Sequence, residues 1–216
     1  SITCALAAFA LTTIGGEGRV FPATNDWLIR DAVLHDLVRQ PWPFVYRFDG
    51  RDWLLRAPLA MYLAPAAIGK LLGLKAAILA LWAQNTAAIF AVLRILSTSR
   101  PVARSFTVLS VFCIFSGWDV IGALITRHGL TPPVDVEWWA FLFQYSSTMT
   151  LAFWVPNHAL AGWFVAALIL LWDNGQIRIG GLAMGAALSV LWSPFALIGA
   201  TPFLAKAGIE ALLRRR

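Results

Sequence analysis

Apolar stretches about as long as a bilayer is thick recur along the chain, from Lys75 to Leu96, Ser105 to Thr126 and His158 to Trp172. A hydrocarbon core about 30 Å thick asks for roughly 20 apolar residues per helix, so each predicts a transmembrane helix, the last being the shortest. The first apolar run, Ile2 to Ile14, is shorter still. It reads as the back half of a first span whose start lies upstream, and a trimmed signal peptide would have the same pattern.

Gly15-Gly16-Glu17-Gly18 ends that run, and a polar segment follows to about Arg56. It holds Glu17, Asp26, Asp31, Asp36, Asp49 and Asp52 together with Trp27, Trp42 and Trp53, a mixture that belongs at or above an interface. Thr24-Asn25-Asp26 is a helix-start signal, and no breaker intervenes until Pro41-Trp42-Pro43, so a helix is expected from Asp26 to Gln40. Leu54 to Leu74 is apolar but carries Pro58, Pro65, Arg56 and Lys70; it either spans or lies along the surface. Because the two prolines interrupt the helical ladder and Lys70 can snorkel, the surface course is preferred.

Charge orients the whole. Arg94, Arg100 and Arg104 surround the linker after Leu96 with no acid among them, which places it in the cytoplasm. The helix from Lys75 then runs inward, and the acidic segment is external. Ser105 to Thr126 returns outward to a second external segment, Arg127 to Asn157, part of which, Phe141 to Trp154, is apolar enough to dip into the membrane. His158 to Trp172 leads inward, Asp173 to Ile179 turns, and Gly180 to Leu213, with Pro194 and Pro202, suggests two short half-helices folded back so that Arg214, Arg215 and Arg216 end in the cytoplasm. Gly181 and Gly185 form a small-xxx-small pair.

Composition agrees: of 216 residues 59% are hydrophobic and only 13% charged, with 11 tryptophans, more apolar surface than one small soluble core hides. The fold expected is an all-α integral membrane protein: a polytopic bundle with interfacial helices in a long first external loop. One domain, 1–216, is divided into a partial span (1–14), the loop (15–74) and the remaining spans (75–216). The formal charge of +6 is what short cytoplasmic loops carry, so nucleic acid is not an expected partner. Cys4 and Cys113 lack metal or redox spacing. No nucleotide-binding glycine loop, HExxH or Gly-x-Ser-x-Gly motif is present.

The order of parts resembles the polytopic membrane glycosyltransferases of the GT-C fold. The resemblance rests on Ala23-Thr24-Asn25-Asp26-Trp27, on Arg56-Ala57-Pro58-Leu59-Ala60-Met61-Tyr62-Leu63, whose Pro-Leu-x-x-Tyr-Leu is similar to an element that often follows the catalytic loop, on Gly69-Lys70-Leu71-Leu72-Gly73, and on Ala91-Val92-Leu93-Arg94. Gly181 to Leu188 followed by Trp192-Ser193-Pro194 resembles the family's broken helix pair, with Trp192-Ser193 where Thr-Lys is common. The loop has Asn-Asp instead of the commoner Asp-Glu, and the family's later spans and C-terminal external domain have no counterpart here.

The resemblance implies sugar transfer from a polyprenyl-phosphate donor at the external face of a bacterial inner membrane, with Asp26 as catalytic base; the alternative for Asp26 is a helix-start charge beside the positive end of its helix. Asp31, His35 and Arg39, at i, i+4 and i+8, form one stripe, read as acid/base or phosphate-facing with His35 as a second catalytic candidate, or as a solvated face. Asp36 should point elsewhere. Arg47, Arg51 and Arg56, near Trp53, suit a polyprenyl phosphate or lipid head groups. His158, after Trp154-Val155-Pro156-Asn157, should face the same cavity as Asp26, unless it is a hydrogen-bonded helix-start histidine. Asp119 must face protein or a wet cavity. Asp135 and Glu137 are a weak signal for a divalent metal, the one cofactor considered, and no metal ligand is assigned. Membrane lipid and other membrane subunits are the remaining partners. A non-catalytic accessory or scaffold subunit of a larger membrane complex is the competing function, and a transporter the third.

Overall fold

A computed structural model describes residues 2–55, 58–98, 105–115, 119–127, 137, 139, 144 and 146–213. The chain is mostly helical, and the first helix, α1 (Ile2–Ile14), ends where the sequence runs into Gly15-Gly16. Gly16 has φ 91°, and a Cβ there would lie 2.5 Å from Ala23 Cα, so only glycine fits this reversal. A 3-10 turn (Glu17–Arg19) follows, then α2 (Asp26–Arg39), which stops before Pro41 as its sequence predicts.

The all-α expectation needs one correction. Val45–Phe48 (β1) and Arg51–Leu54 (β2) pair antiparallel, with Val45 opposite Leu54. Asp49 and Gly50 close the hairpin with φ 52° and 69°, both in the left-handed region that a two-residue turn of matching twist demands.

Helix α3 (Ala60–Leu72) and helix α4 (Leu74–Thr98) form a tight antiparallel pair across Gly73, whose φ is 88°. Here the surface-helix expectation is refined. Pro58 precedes α3, but Pro65 lies inside it without breaking it. Proline has no N–H for the carbonyl four residues back, which is Met61's, and Gln84 Nε2 of α4 donates to that oxygen at 2.7 Å. Thus α3 lies along the first half of α4 instead of apart from the bundle. At 13 residues it is about 20 Å long, too short to cross a bilayer core alone.

Helix α1 covers the other half of α4, again antiparallel. Cys4 Sγ meets Ser97 Oγ at 3.6 Å near one end, and near the other Thr12 Oγ1 bonds Thr86 Oγ1 at 2.8 Å and accepts from Trp82 Nε1 at 3.1 Å. Two cores result, both leaning on α4: Trp27, Leu34, Met61 and Leu81 join α2, α3 and α4, while Cys4, Leu11, Ile89, Leu93 and Leu160 join α1, α4 and the eighth helix.

The Ser105 to Thr126 run contains α5 (Ser105–Ile114) and α6 (Asp119–Arg127). After α7 (Thr148–Trp154) come α8 (Pro156–Asp173), α9 (Ile179–Ser189) and α10 (Pro194–Leu213). Of the glycine pair, only Gly185 packs tightly: a Cβ there would lie 2.3 Å from Leu168 of α8, while one on Gly181 would meet nothing nearer than 4.0 Å. His158 and Phe195 rings lie 5.8 Å apart, so α8 and α10 begin side by side and α9 returns between them. The final pair is folded back as expected, but α10 is not a half-helix: it continues through Pro202 for 20 residues. Among the described residues, three stretches are long and apolar enough to cross a membrane, namely α4, Phe106 to Thr126, and α10. The third expected span, α8, is not among them, because its first turn carries Asn157 and His158.

Candidate functional site

Five helix ends meet at one level of the molecule: α1 stops there, α3 and α8 start there, and the turn from the end of α9 to the start of α10 closes it. Ala60 N–H of α3 donates to Leu191 O in that turn at 3.2 Å. The start of α2 is fastened to the corner between α7 and α8, where Trp27 Nε1 donates to Phe153 O at 3.0 Å and Thr24 Oγ1 to the same oxygen at 3.5 Å.

This anchoring links Asp26 through Arg30 to Asn157, the residue before His158. Asp26 Oδ2 lies 3.7 Å from Arg30 NH1, one helical turn on, and Arg30 NH2 donates to Asn157 Oδ1 at 3.5 Å. His158 Nδ1 shares a 2.7 Å hydrogen bond with buried Ser193, whose Oγ also accepts from Ala196 N–H and so caps α10. Asn25, at the α2 N-cap, makes no side-chain capping bond. Arg30 is the hub, with a side chain only 11% exposed and a guanidinium 5.9 Å from the Trp27 ring centre. Its two polar contacts are both long, and its Nε has no hydrogen-bond partner among the described residues, so the cation is enclosed but loosely paired.

Glu17 is 3% exposed and lines a cavity of about 110 Å³ with Arg19, Trp27, Asp31 and Trp82. Asn85 Nδ2 of α4 donates to Glu17 Oε2 at 2.9 Å. Burial pushes the Glu17 carboxyl up to about 8, against the smaller opposing pull of the Asn85 bond and the Arg30 charge. At neutral pH it is therefore mostly the neutral acid. Asp31 turns to Arg19, 3.0 Å away, at the cavity's edge.

The expected stripe does not act together. Asp31 pairs with Arg19, His35 is exposed and bonds Asp36 at 3.2 Å, and Arg39 is exposed at the far end of α2. Asp36, expected to point away from His35, receives both that histidine and the Tyr46 hydroxyl at 2.6 Å. The arginine cluster also divides: the pleat puts Arg47, paired with Asp52 at 3.5 Å, and Arg51 on opposite faces of the hairpin. Arg56 and Asp135 lie outside the described residues. Glu137 accepts from Thr150 Oγ1, Ser147 N–H and Gln144 Nε2, organising the start of α7. Burial works to raise that carboxyl, but these donors outweigh it and hold the group below its usual range. Asp119 is buried, with Oδ1 lacking a hydrogen-bond partner among the described residues. No group of three or more metal-ligating side chains occurs among the described residues.

Sequence reasoning missed Glu17, Arg30, Asn85 and Ser193. Glu17 had a signal in its glycine-flanked position at the end of an apolar run, and Asn85 in being an amide inside a span. Arg30 had only the i, i+4 spacing from Asp26. No known protein family, no curated protein and no solved structure matches this chain.

Proposed function

We propose that the chain is a GT-C-like membrane glycosyltransferase, or part of one, that moves a sugar from a polyprenyl-phosphate carrier at the external face of a bacterial inner membrane. One observation supports it most: Arg30 ties Asp26 of α2 to Asn157 of α8, next to His158, where helices end. Asp26, the more exposed partner of the ion pair, accepts the acceptor hydroxyl's proton as its oxygen bonds the anomeric carbon. The bond from that carbon to the phosphate oxygen breaks, and its electron pair leaves with the polyprenyl phosphate. Arg30 offsets the charge that develops there, and His158, steadied by Ser193, contributes a further donor.

The test is transfer of radiolabelled sugar from a polyprenyl-phosphate donor by the full-length protein in lipid vesicles. Asp26→Asn should lower kcat by at least about 100-fold with membrane insertion unchanged. Retained activity in Asp26→Asn removes the assigned base, whereas no transfer by the natural chain favours the accessory-subunit reading.

A further inference from the structure

We infer that the cavity enclosed by Glu17, Phe21, Trp27 and Trp82 is a binding site for a small primary ammonium group, whose charge meets the Glu17 carboxylate on the cavity floor. It uses none of the groups assigned to sugar transfer.

The floor is buried, with Leu34 and Leu81 beside Glu17 and Trp27, while exposed Arg19 and Phe21 and half-buried Asp31 stand at the mouth. Acceptors inside it lack donors. Asn85 Nδ2 donates to Glu17 Oε2, and no hydrogen bond reaches Oε1 among the described residues. Both indole N–H groups are spent elsewhere, Trp27 on Phe153 O at 3.0 Å and Trp82 on Thr12 Oγ1 at 3.1 Å, so the rings offer the cavity only carbon and π-faces. Arg19, the one cation among the described lining residues, is committed to Asp31 at 3.0 Å. An anion would therefore meet a carboxyl and no free side-chain donor, and a metal ion would find no group of three ligating side chains among the described residues. An organic cation suits all of this. Its N–H groups supply the missing donors, its charge replaces the solvation that burial denies the carboxylate, and its carbons lie against aromatic walls. The volume of about 110 Å³ sets the size: at water's share of about 30 Å³ it holds roughly four water-sized groups, an ammonium with two or three carbons.

Binding is coupled to ionisation. Without a cation Glu17 keeps its proton at neutral pH, because burial lifts the carboxyl to about 8, and an entering ammonium sends that proton to solvent. The groups facing Glu17 are Arg19 from its own turn, Arg30 and Asp31 from α2, Tyr62 from α3 and Asn85 from α4. Burial pushes the Tyr62 hydroxyl up to about 12, so it keeps its proton wherever Glu17 titrates.

The test is saturation-transfer NMR of ethylamine, which like a lysine side chain stays protonated to about pH 10, with ethanol as the neutral control. The full-length protein is held in nanodiscs of phosphatidylcholine, whose head group has no N–H. Wild type should bind ethylamine in preference to ethanol. Its affinity should rise about tenfold from about pH 7 to about pH 9, as the ionised fraction of Glu17 climbs from about one tenth to about nine tenths. Glu17→Gln should lose the preference at both ends of that range, with a cooperative melting transition showing that it is folded. Asn85→Ala removes a donor that favours the carboxylate, so it should move the rise to higher pH, whereas lost packing alone would weaken binding equally throughout. Equal binding of ethanol, or a preference that survives Glu17→Gln, overturns the site; an affinity flat across the range overturns the exchange of proton for ammonium. Adding phosphatidylethanolamine to the nanodiscs identifies the source. Weaker ethylamine binding there makes a lipid head group the occupant, unchanged binding a water-borne amine, and either upholds the ammonium site.

Discussion

Enclosing a carboxyl makes stability depend on pH. Glu17 has a folded-state pKa of about 8 against an ordinary value of 4.5, so between these values the folded chain holds a proton that the unfolded chain has released. Stability is therefore highest below about pH 4.5 as far as this group is concerned, falls as pH rises, and is lowest above about 8. Thermal unfolding in detergent should show Glu17→Gln more stable than wild type at pH 8.5 and level with it near pH 5; a parallel pH dependence in both proteins would show that Glu17 ionises freely. Gly16 is bound by a different constraint. Gly16→Ala places a methyl group against Ala23 in a backbone conformation unsuited to it, at a cost of about 1 to 3 kcal/mol and a correspondingly lowered melting temperature. Both residues stand in Gly15-Gly16-Glu17-Gly18, readable in the sequence as a break. What the break encloses was not readable, because burial of Glu17 depends on Asn85 and Trp82, which arrive from another helix.

Among the elements, α3 shows how a helix keeps a proline. Gln84 on α4 replaces the donor that Pro65 lacks, so the two residues are energetically one unit. Gln84→Leu should cost about 1 to 3 kcal/mol in the natural chain by stranding the buried Met61 carbonyl. With Pro65→Ala the helix bonds that carbonyl itself, and the same Gln84→Leu change should then cost well under half as much; equal costs in the two backgrounds would mean that the bond carries no weight. A helix-start signal and a proline breaker located α2, and an unbroken apolar run located α4, each to within a few residues. The hairpin was passed over although Asp49-Gly50 is a strong turn signal, because its strands are four residues long and exposed, with no buried face to impose alternation. The last helix was misread for a related reason: the proline inside α10 does not by itself state whether neighbouring groups satisfy the backbone.

On the scale of the whole molecule, the polar junction divides two sets of helices. From it α1, the second half of α4, α8, α9 and α10 extend to one side, ending near Ser97 and Asp173, while α2, the hairpin, α3 and the first half of α4 lie to the other. The apolar window of α10 is only 11% buried within the chain, so its outer face is left for lipid or neighbouring helices. Sugar transfer at the external face requires the hairpin to stand outside and the arginine linker, 99–104, to stand in the cytoplasm. The two native cysteines allow a direct check: Cys4 is buried, and exposed Cys113 is removed by Cys113→Ser. In that background, Arg51→Cys on the hairpin should react with a membrane-impermeant maleimide in intact cells. Ala103→Cys in the linker should react only after permeabilisation. The reverse pattern would put Asp26 and Arg30 on the cytoplasmic side and would remove the external polyprenyl-phosphate reaction along with the orientation.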